Sequence, residues 1–113
     1  MFIKKPWGGY RVIYSNPKLT IKILELEPCS SISLQSHSLR SEYWLLLEGK
    51  FLIVRNDTTE KMLERKIYAI PKRTKHRLCS LTQKGRILEI SLGEFREDDI
   101  VRYADIYGRV SRQ

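Results

Sequence analysis

The sequence predicts an all-β fold, a sandwich or barrel built from short antiparallel strands. Two observations predict it. Runs rich in Ile, Leu, Val and aromatic residues recur about every 8 to 12 residues. Between them lie clusters of Gly, Pro, Asn, Asp and Ser, the residues that supply turn geometry.

The runs follow in order along the chain. YRVIYS (10–15) and LTIKILEL (19–26) come first, then SISLQSH (31–37) and EYWLLLEG (42–49). KFLIVRN (50–56), KIYAIP (66–71), HRLCSL (76–81) and GRILEISLG (85–93) complete the set. EGKF (48–51) and RNDTTE (55–60) read as hairpin turns. The C-terminal segment REDDIVRYADIYGRVSRQ (96–113) opens with acids and predicts one short helical turn. Pro6, Trp7, Gly8 and Gly9 predict an irregular N-terminal piece. Both terminal segments are expected to cover exposed strand edges. Trp7 reads as a plug over one end of the barrel, and Trp44 reads as core packing rather than a sugar platform.

A chain of 113 residues with 42% hydrophobic and 30% charged content is expected to form a single domain, residues 1–113. No stretch of about 18 apolar residues predicts a membrane span, and MFIKKPWGGY lacks the apolar centre of a secretion signal. The expected location is therefore the cytoplasm. Cys29 and Cys79 match no zinc-finger spacing and read as reduced, small apolar fillers. The net charge of +8 attracts anions. Nucleic acid and a phosphorylated small molecule are the two candidates, and no nucleic-acid recognition motif supports the first. The densest basic cluster, PKRTKHR (71–77), reads at Lys72 and Arg73 as a solvated loop as readily as an anion site.

One stretch breaks the β pattern. Between the apolar runs on either side of SISLQSHSLRSEYWLLLEG (31–49) stand Gln35, His37, Arg40 and Glu42. Alternation places Ser33, Gln35 and His37 on one face of a strand, and Glu42, Trp44 and Leu46 on one face of the next. If the two strands are neighbours in a barrel, Gln35, His37 and Glu42 converge inside it. The second histidine, His76, opens a later strand. An amide oxygen, a carboxylate and two imidazoles form a donor set for a divalent metal. Taken on residue type alone, each His and Glu reads more simply as a hydrogen-bonded or solvated side chain.

Gln35-x-His37-x4-Glu42-x6-Gly49 resembles the first cupin motif, with Gln in place of its first His. Pro71-x-Arg73-x2-His76 resembles the second motif. KPWGGY, SLQSHSLRSEYW, YAIPKRTKHRL and EDDIVRYADIYGR occur in this order, and together they resemble the type II phosphomannose isomerase domain. That domain is often the C-terminal part of a bifunctional mannose-1-phosphate guanylyltransferase. The resemblance spans Lys5 to Arg109. It implies a cupin double-stranded β-helix, or jelly-roll, barrel. It also implies a metal held by Gln35, His37, Glu42 and His76, zinc first, with manganese, iron, cobalt or nickel as alternatives.

The implied reaction interconverts mannose 6-phosphate and fructose 6-phosphate. Arg40, Lys75 and Arg109 are the catalytic candidates, and Tyr43, Tyr103 and Tyr107 are alternative proton carriers. Arg40, Arg77, Arg109 and Tyr107 are the substrate-binding candidates, because a guanidinium pairs bidentately with phosphate. Arg102 reads instead as an ion-pair partner of Asp98 or Asp99. The family further implies a homodimer paired by sheet edges, with a sugar phosphate as ligand and no nucleic-acid or membrane partner.

The chain departs from the family pattern at its histidine run (His37, Ser38, Leu39 here) and at Tyr43, where the family has His. It also lacks the glycines expected at Cys29 and Arg73, so an altered turn is expected at Arg73. Those departures keep two other readings open. One is a non-catalytic cupin that binds a sugar phosphate or nucleotide sugar. The other is a different cupin enzyme, such as a nucleotide-linked ketosugar isomerase or an oxygenase.

Overall fold

Residues 1–94, 96 and 98–104 are described in the computed structural model. Eleven strands account for the regular structure of these residues: β1 (Phe2–Lys5), β2 (Gly8–Asn16), β3 (Leu19–Leu26), β4 (Leu34–Ser36), β5 (Arg40–Glu48), β6 (Phe51–Arg55), β7 (Thr58–Lys61), β8 (Ile67–Ile70), β9 (His76–Ser80), β10 (Gly85–Gly93) and β11 (Val101–Ala104). They form two antiparallel sheets. The larger runs β1-β2-β3-β10-β5-β8 and the smaller β11-β4-β9-β6-β7. The two sheets face each other as the walls of a jelly-roll barrel. No helix among the described residues is long and apolar enough to cross a membrane.

The period-two pattern sets which side chains enter the barrel. Along β3 the alternation is strict: Thr20, Lys22, Leu24 and Leu26 are buried, while Leu19, Ile21, Ile23 and Glu25 lie half-buried outside. The buried phase of β10 is Gly85, Ile87, Glu89 and Ser91. One end of the interior is therefore apolar. Leu26, Phe51, Ile53, Met62, Leu78 and Ile87 close it, with Trp44, Tyr68 and Ile70 above them. Toward the other end the inward positions turn polar.

Several sequence expectations are corrected here. EGKF does not form a hairpin, since β5 lies in the larger sheet and β6 in the smaller, so the segment is a corner that changes sheets. Gly49 makes that corner at φ +88, and a Cβ there would meet Gly85 Cα at 2.8 Å. RNDTTE is a true hairpin joining β6 to β7, with Asn56 at φ +50. The N-terminal piece is not irregular. β1 pairs with β2, Gly8 and Gly9 sit inside β2, and Trp7 belongs to the buried core. The expected C-terminal helical turn is not found among the described residues. Asp99 N–H donates to the Arg96 carbonyl in a tight turn, and Val101–Ala104 then pairs with β4 as the edge strand of the smaller sheet. The physical reason is the open edge of β4, whose unpaired backbone groups β11 satisfies.

Cys29 and Arg73, where the family pattern has glycine, adopt the left-handed backbone at φ +56 and +64. The turn at Arg73 is thus retained, and its N–H donates to the His37 carbonyl at 2.7 Å. A Cβ in this region costs about 1–2 kcal/mol. Arg73→Gly is therefore expected to stabilise the fold by about 1 kcal/mol, raising Tm by about 4 °C in thermal melts.

Candidate metal and anion site

His37, Arg40, Glu42 and His76 come together at the polar end of the barrel, each at most 9% exposed. They arrive from different elements. His37 lies in the connection after β4, Arg40 and Glu42 open β5, and His76 opens β9. β4 and β5 are not hydrogen-bonded neighbours, as the sequence reading supposed; they lie in opposite sheets, and the cluster spans the gap between them.

Both imidazoles are oriented by backbone carbonyls. His37 Nδ1 lies 2.6 Å from the Asp99 carbonyl oxygen, and His76 Nδ1 lies 2.8 Å from that of Thr74. A carbonyl only accepts, so each Nδ1 carries a proton and, in the neutral ring, each Nε2 lone pair turns inward. The inward partner is Glu42. Its Oε1 stands 3.0 Å from His76 Nε2 and 3.8 Å from His37 Nε2. The same oxygen is buried without a hydrogen bond. Two inward nitrogens around a buried carboxylate oxygen form an acceptor cluster suited to a cation. The ligand atoms of His37, Glu42 and His76 lie within 4.8 Å of one another. The donor set therefore fits a divalent ion of the zinc or first-row transition type.

Gln35 stands opposite His76 in the β4–β9 pairing. Its Nε2 donates to the Ser33 hydroxyl at 3.2 Å, which leaves the amide oxygen as its candidate ligand atom. Arg40 supplies positive charge to the cluster. Its Nη2 donates to His37 Nε2 at 3.1 Å, and its Nε lies 3.4 Å from Glu42 Oε2. Seating an ion on His37 requires the guanidinium to release that nitrogen.

The titration behaviour follows from burial and these neighbours. Burial is the largest influence on His37 and pushes it down to about 4, against the pull of the Glu42 charge. Burial alone would raise Glu42, but the hydrogen bond a protonated His76 would give it and the charges of His76, His37 and Arg40 hold it well below the carboxylate range. Burial disfavours protonated His76, yet Glu42, which would accept from its Nε2–H and carries the opposite charge, raises it.

Two cavities adjoin the cluster. The inner one, about 90 Å³, reaches Glu42, His76, Trp44 and Glu89. The outer one, about 280 Å³, is lined by Lys5, Lys22, Arg40, Arg96 and Arg102, with Asp99 as the only carboxylate among its described lining residues. Trp7, Tyr10, Lys22, Gln35 and Arg40 border both. So many cations around one concavity favour an anionic ligand, and phosphate fits guanidinium geometry.

Three residues of this end are not among the site candidates that the sequence offered. Lys22 and Glu89 are cross-strand partners on the inner face. The Lys22 ammonium sits 4.3 Å above the Tyr10 ring, and burial lowers its pKa against the pull of Glu89. Glu89 Oε2 accepts from Trp44 Nε1 at 2.9 Å, and burial first, then the Glu42 charge, push it up to about 7. Their signal in the sequence was a charge in the inward phase of LTIKILEL and GRILEISLG. Asp99 is the third. Its carboxylate accepts from the Ser38 and Leu39 N–H groups, both at 2.9 Å, and so fixes the loop that carries His37.

The other sequence candidates lie elsewhere. Lys75 is exposed, with its ammonium 4.5 Å from the Tyr103 ring, because alternation sends it outward where His76 goes in. Arg77 donates to the Ile32 and Ala104 carbonyls at 3.1 and 2.8 Å, tying β9 to β4 and β11. Tyr43 faces outward, and the Tyr103 hydroxyl bonds Ser36. Arg102, expected to pair with Asp98 or Asp99, lines the outer cavity together with Asp99, and Asp98 pairs with Arg96 at 3.3 Å. Tyr107 and Arg109 lie outside the described residues. Trp44 is fully buried and packs edge-on against His76 at 5.5 Å, so it is core and a support of the site at once.

Comparison with known proteins shows the family and the fold. The family described as mannose-6-phosphate isomerase C-terminal matches residues 1–105. The xanthan biosynthesis protein XanB of Xanthomonas campestris pv. campestris strain B100 is 32% identical over 109 residues, 95% of this chain and 23% of that protein. A mannose-1-phosphate guanylyltransferase of Klebsiella pneumoniae is 34% identical over 112 residues, again 95% of this chain and 23% of its own length. The chain thus spans about a quarter of these relatives. Among solved structures, the Cnp3 cupin domain of Schizosaccharomyces pombe superposes with a TM-score of 0.69 at 12% identity, covering 76% of this chain and 64% of that one, which shows the cupin fold.

Burial of Glu89 has a measurable consequence. Below the unfolded carboxyl pKa both states are protonated and nothing is lost. Between there and about 7 only the unfolded chain ionises, so stability falls as pH rises and then levels off. Glu89→Gln, which keeps the Trp44 bond, is expected to melt above the parent protein at about pH 8 and to match it at about pH 4 in metal-free buffer.

Proposed function

The chain belongs to the mannose-6-phosphate isomerase C-terminal family, and from that premise we propose that it interconverts mannose 6-phosphate and fructose 6-phosphate. The carrying observation is the pairing of a buried acceptor cluster with a cation-lined cavity. Aldose–ketose exchange removes the proton on C2, passes through an enediol and returns the proton at C1.

His37, Glu42 and His76, with Gln35 beside them, would hold the metal. When bound, the ion supplies positive charge beside the sugar oxygens as they become negative. The chain's own residues do the rest. Lys5, Arg96 and Arg102 at the outer cavity hold the phosphate, and Arg40 reaches the boundary between phosphate and cluster. Glu89 carries the proton. It lines the inner cavity, and a carboxyl held at about 7 is half ionised at neutral pH, as a reversible proton carrier should be. Lys22 beside it steadies the ionised form. Trp7, Tyr10 and Trp44 wall the inner cavity and limit water. Lys75 takes no part in this scheme, since its ammonium lies against Tyr103 on the outside.

The deciding assay follows fructose 6-phosphate formation from mannose 6-phosphate with added divalent metal. Turnover is expected to vanish with chelator and to be absent in His76→Ala; turnover in chelator overturns the metal-dependent reading. Phosphosugar binding without turnover under any metal would favour the non-catalytic binding module.

The proton carrier is tested separately. Activity is expected to rise with pH as Glu89 ionises. Glu89→Gln is expected to lower kcat by about 100-fold or more while KM changes little. A variant with unchanged kcat would remove Glu89 from the role.

A further inference from the structure

Residues 37–39 join β4 to β5 without regular structure of their own, so partners distant in the chain decide where His37 points. The His37 carbonyl accepts from the Arg73 N–H at 2.7 Å, and the Leu39 carbonyl accepts from the Glu94 N–H at 3.2 Å. Asp99 holds the same loop through both its side chain and its backbone. Its two carboxylate oxygens accept from the Ser38 and Leu39 N–H groups, one oxygen each, both at 2.9 Å. Its main-chain carbonyl oxygen lies 2.6 Å from His37 Nδ1. The side chain therefore fixes the backbone that carries the ring, and the carbonyl fixes the rotation of the ring.

The path of the chain brings Asp99 to this place. β10 ends at Gly93, whose φ of +118 and missing Cβ let the chain pass against the Leu39 carbonyl, where a Cβ would collide. The Gly93 N–H donates to the Lys18 carbonyl at 2.9 Å. The tight turn from Arg96 to Asp99 follows, and Val101 and Arg102 then pair with Ser36 and Gln35. Asp99 is thus held in register with the end of β4 that leads into His37.

We propose, on the metal-dependent reading above, that Asp99 is a positioning residue for the metal centre: its grip on Ser38 and Leu39 sets how tightly His37 holds a divalent ion. Hydrogen bonds to a carboxylate are roughly twice as strong as neutral ones. Two of them on adjacent N–H groups leave the loop one position. A ring fixed at Nδ1 has its Nε2 aimed, and losing such an outer partner costs about 10- to 100-fold in metal affinity. Charge excludes the simpler purpose, a share in anion binding. Asp99 lines the outer cavity among Lys5, Lys22, Arg40, Arg96 and Arg102, and there its own charge repels a phosphate. Its removal therefore acts in opposite directions on the two subsites, weakening metal binding and strengthening anion binding.

The test compares the parent chain with Asp99→Asn, Asp99→Ala and Asp98→Asn. Asp98 carries the same charge next door but pairs with Arg96, so it is the control. Co²⁺ affinity, read from visible absorption, is expected to fall about 10-fold in Asp99→Asn and about 100-fold in Asp99→Ala, and to stay unchanged in Asp98→Asn. Inorganic phosphate, titrated into the metal-free chain, is expected to bind Asp99→Asn about 3-fold more tightly than the parent. Ring-nitrogen NMR of the metal-free chain is expected to place the His37 proton on Nδ1 in the parent and to show mixed tautomers in Asp99→Ala. Asp99 variants that hold Co²⁺ as tightly as the parent overturn the proposal. Equal weakening in Asp98→Asn overturns it too, since distant charge alone then explains the effect. So does a joint loss of Co²⁺ and phosphate, which marks a general loss of structure. A parent chain that binds no Co²⁺ overturns the metal-dependent reading itself and the role of Asp99 with it, a result distinct from variants that match a metal-binding parent.

Discussion

The structure is organised around one buried carboxylate, that of Glu42. Glu42 is almost fully buried, and it faces two imidazoles whose protons are committed to backbone carbonyls on the far side. Lone pairs pointed at one another repel unless a positive charge stands between them. Arg40 supplies part of that charge from the same strand. The rest of the cluster suits a cation, and the connection after β4, β5 and β9 deliver its side chains.

That constraint explains an inversion of ordinary sheet polarity. Inside the larger sheet, toward the site, the chain places Thr20, Lys22, Arg40, Glu42, Glu89 and Ser91. Outside, the same strands present Ile21, Ile23, Tyr43, Leu45, Leu88 and Ile90. Polar groups in the interior cost free energy unless each is partnered. Here they are linked: Glu89 to Trp44, Ser91 to Glu42, Lys22 to Tyr10. The hydrophobic driving force must then come from the closed apolar end around Leu26, Phe51, Ile53, Leu78 and Ile87.

The departures from the family pattern fall mostly outside this network. Cys29 and Arg73 keep the backbone shape that glycine would have given, at a cost in strain. Tyr43 points outward into the apolar face, so its difference from the family histidine does not touch the cluster. Ser38 and Leu39, in place of histidines, offer their backbone N–H groups to Asp99, and that anchoring depends on no particular side chain.

Local sequence alone marked eight of the strands, because burial of one face forces period-two alternation, and β3 and β10 were legible to the residue; β1, β7 and β11 were not read as strands. It also marked Gln35, His37, Arg40, Glu42 and His76, since polar groups interrupting apolar strands have few physical explanations. Lys22 and Glu89 carried the same mark, a charge in the inward phase, but each stood alone in an apolar run. Only the β3–β10–β5 register shows them to be partners. The role of Asp99 was not readable at all, because its contacts with Ser38 and Leu39 lie about sixty residues away in the chain. Tertiary structure likewise decided that EGKF changes sheets, that β11 seals β4 and that Lys75 turns outward. In each case the deciding energy is a long-range backbone or side-chain contact, and a contact between distant segments leaves no periodicity in the sequence to read.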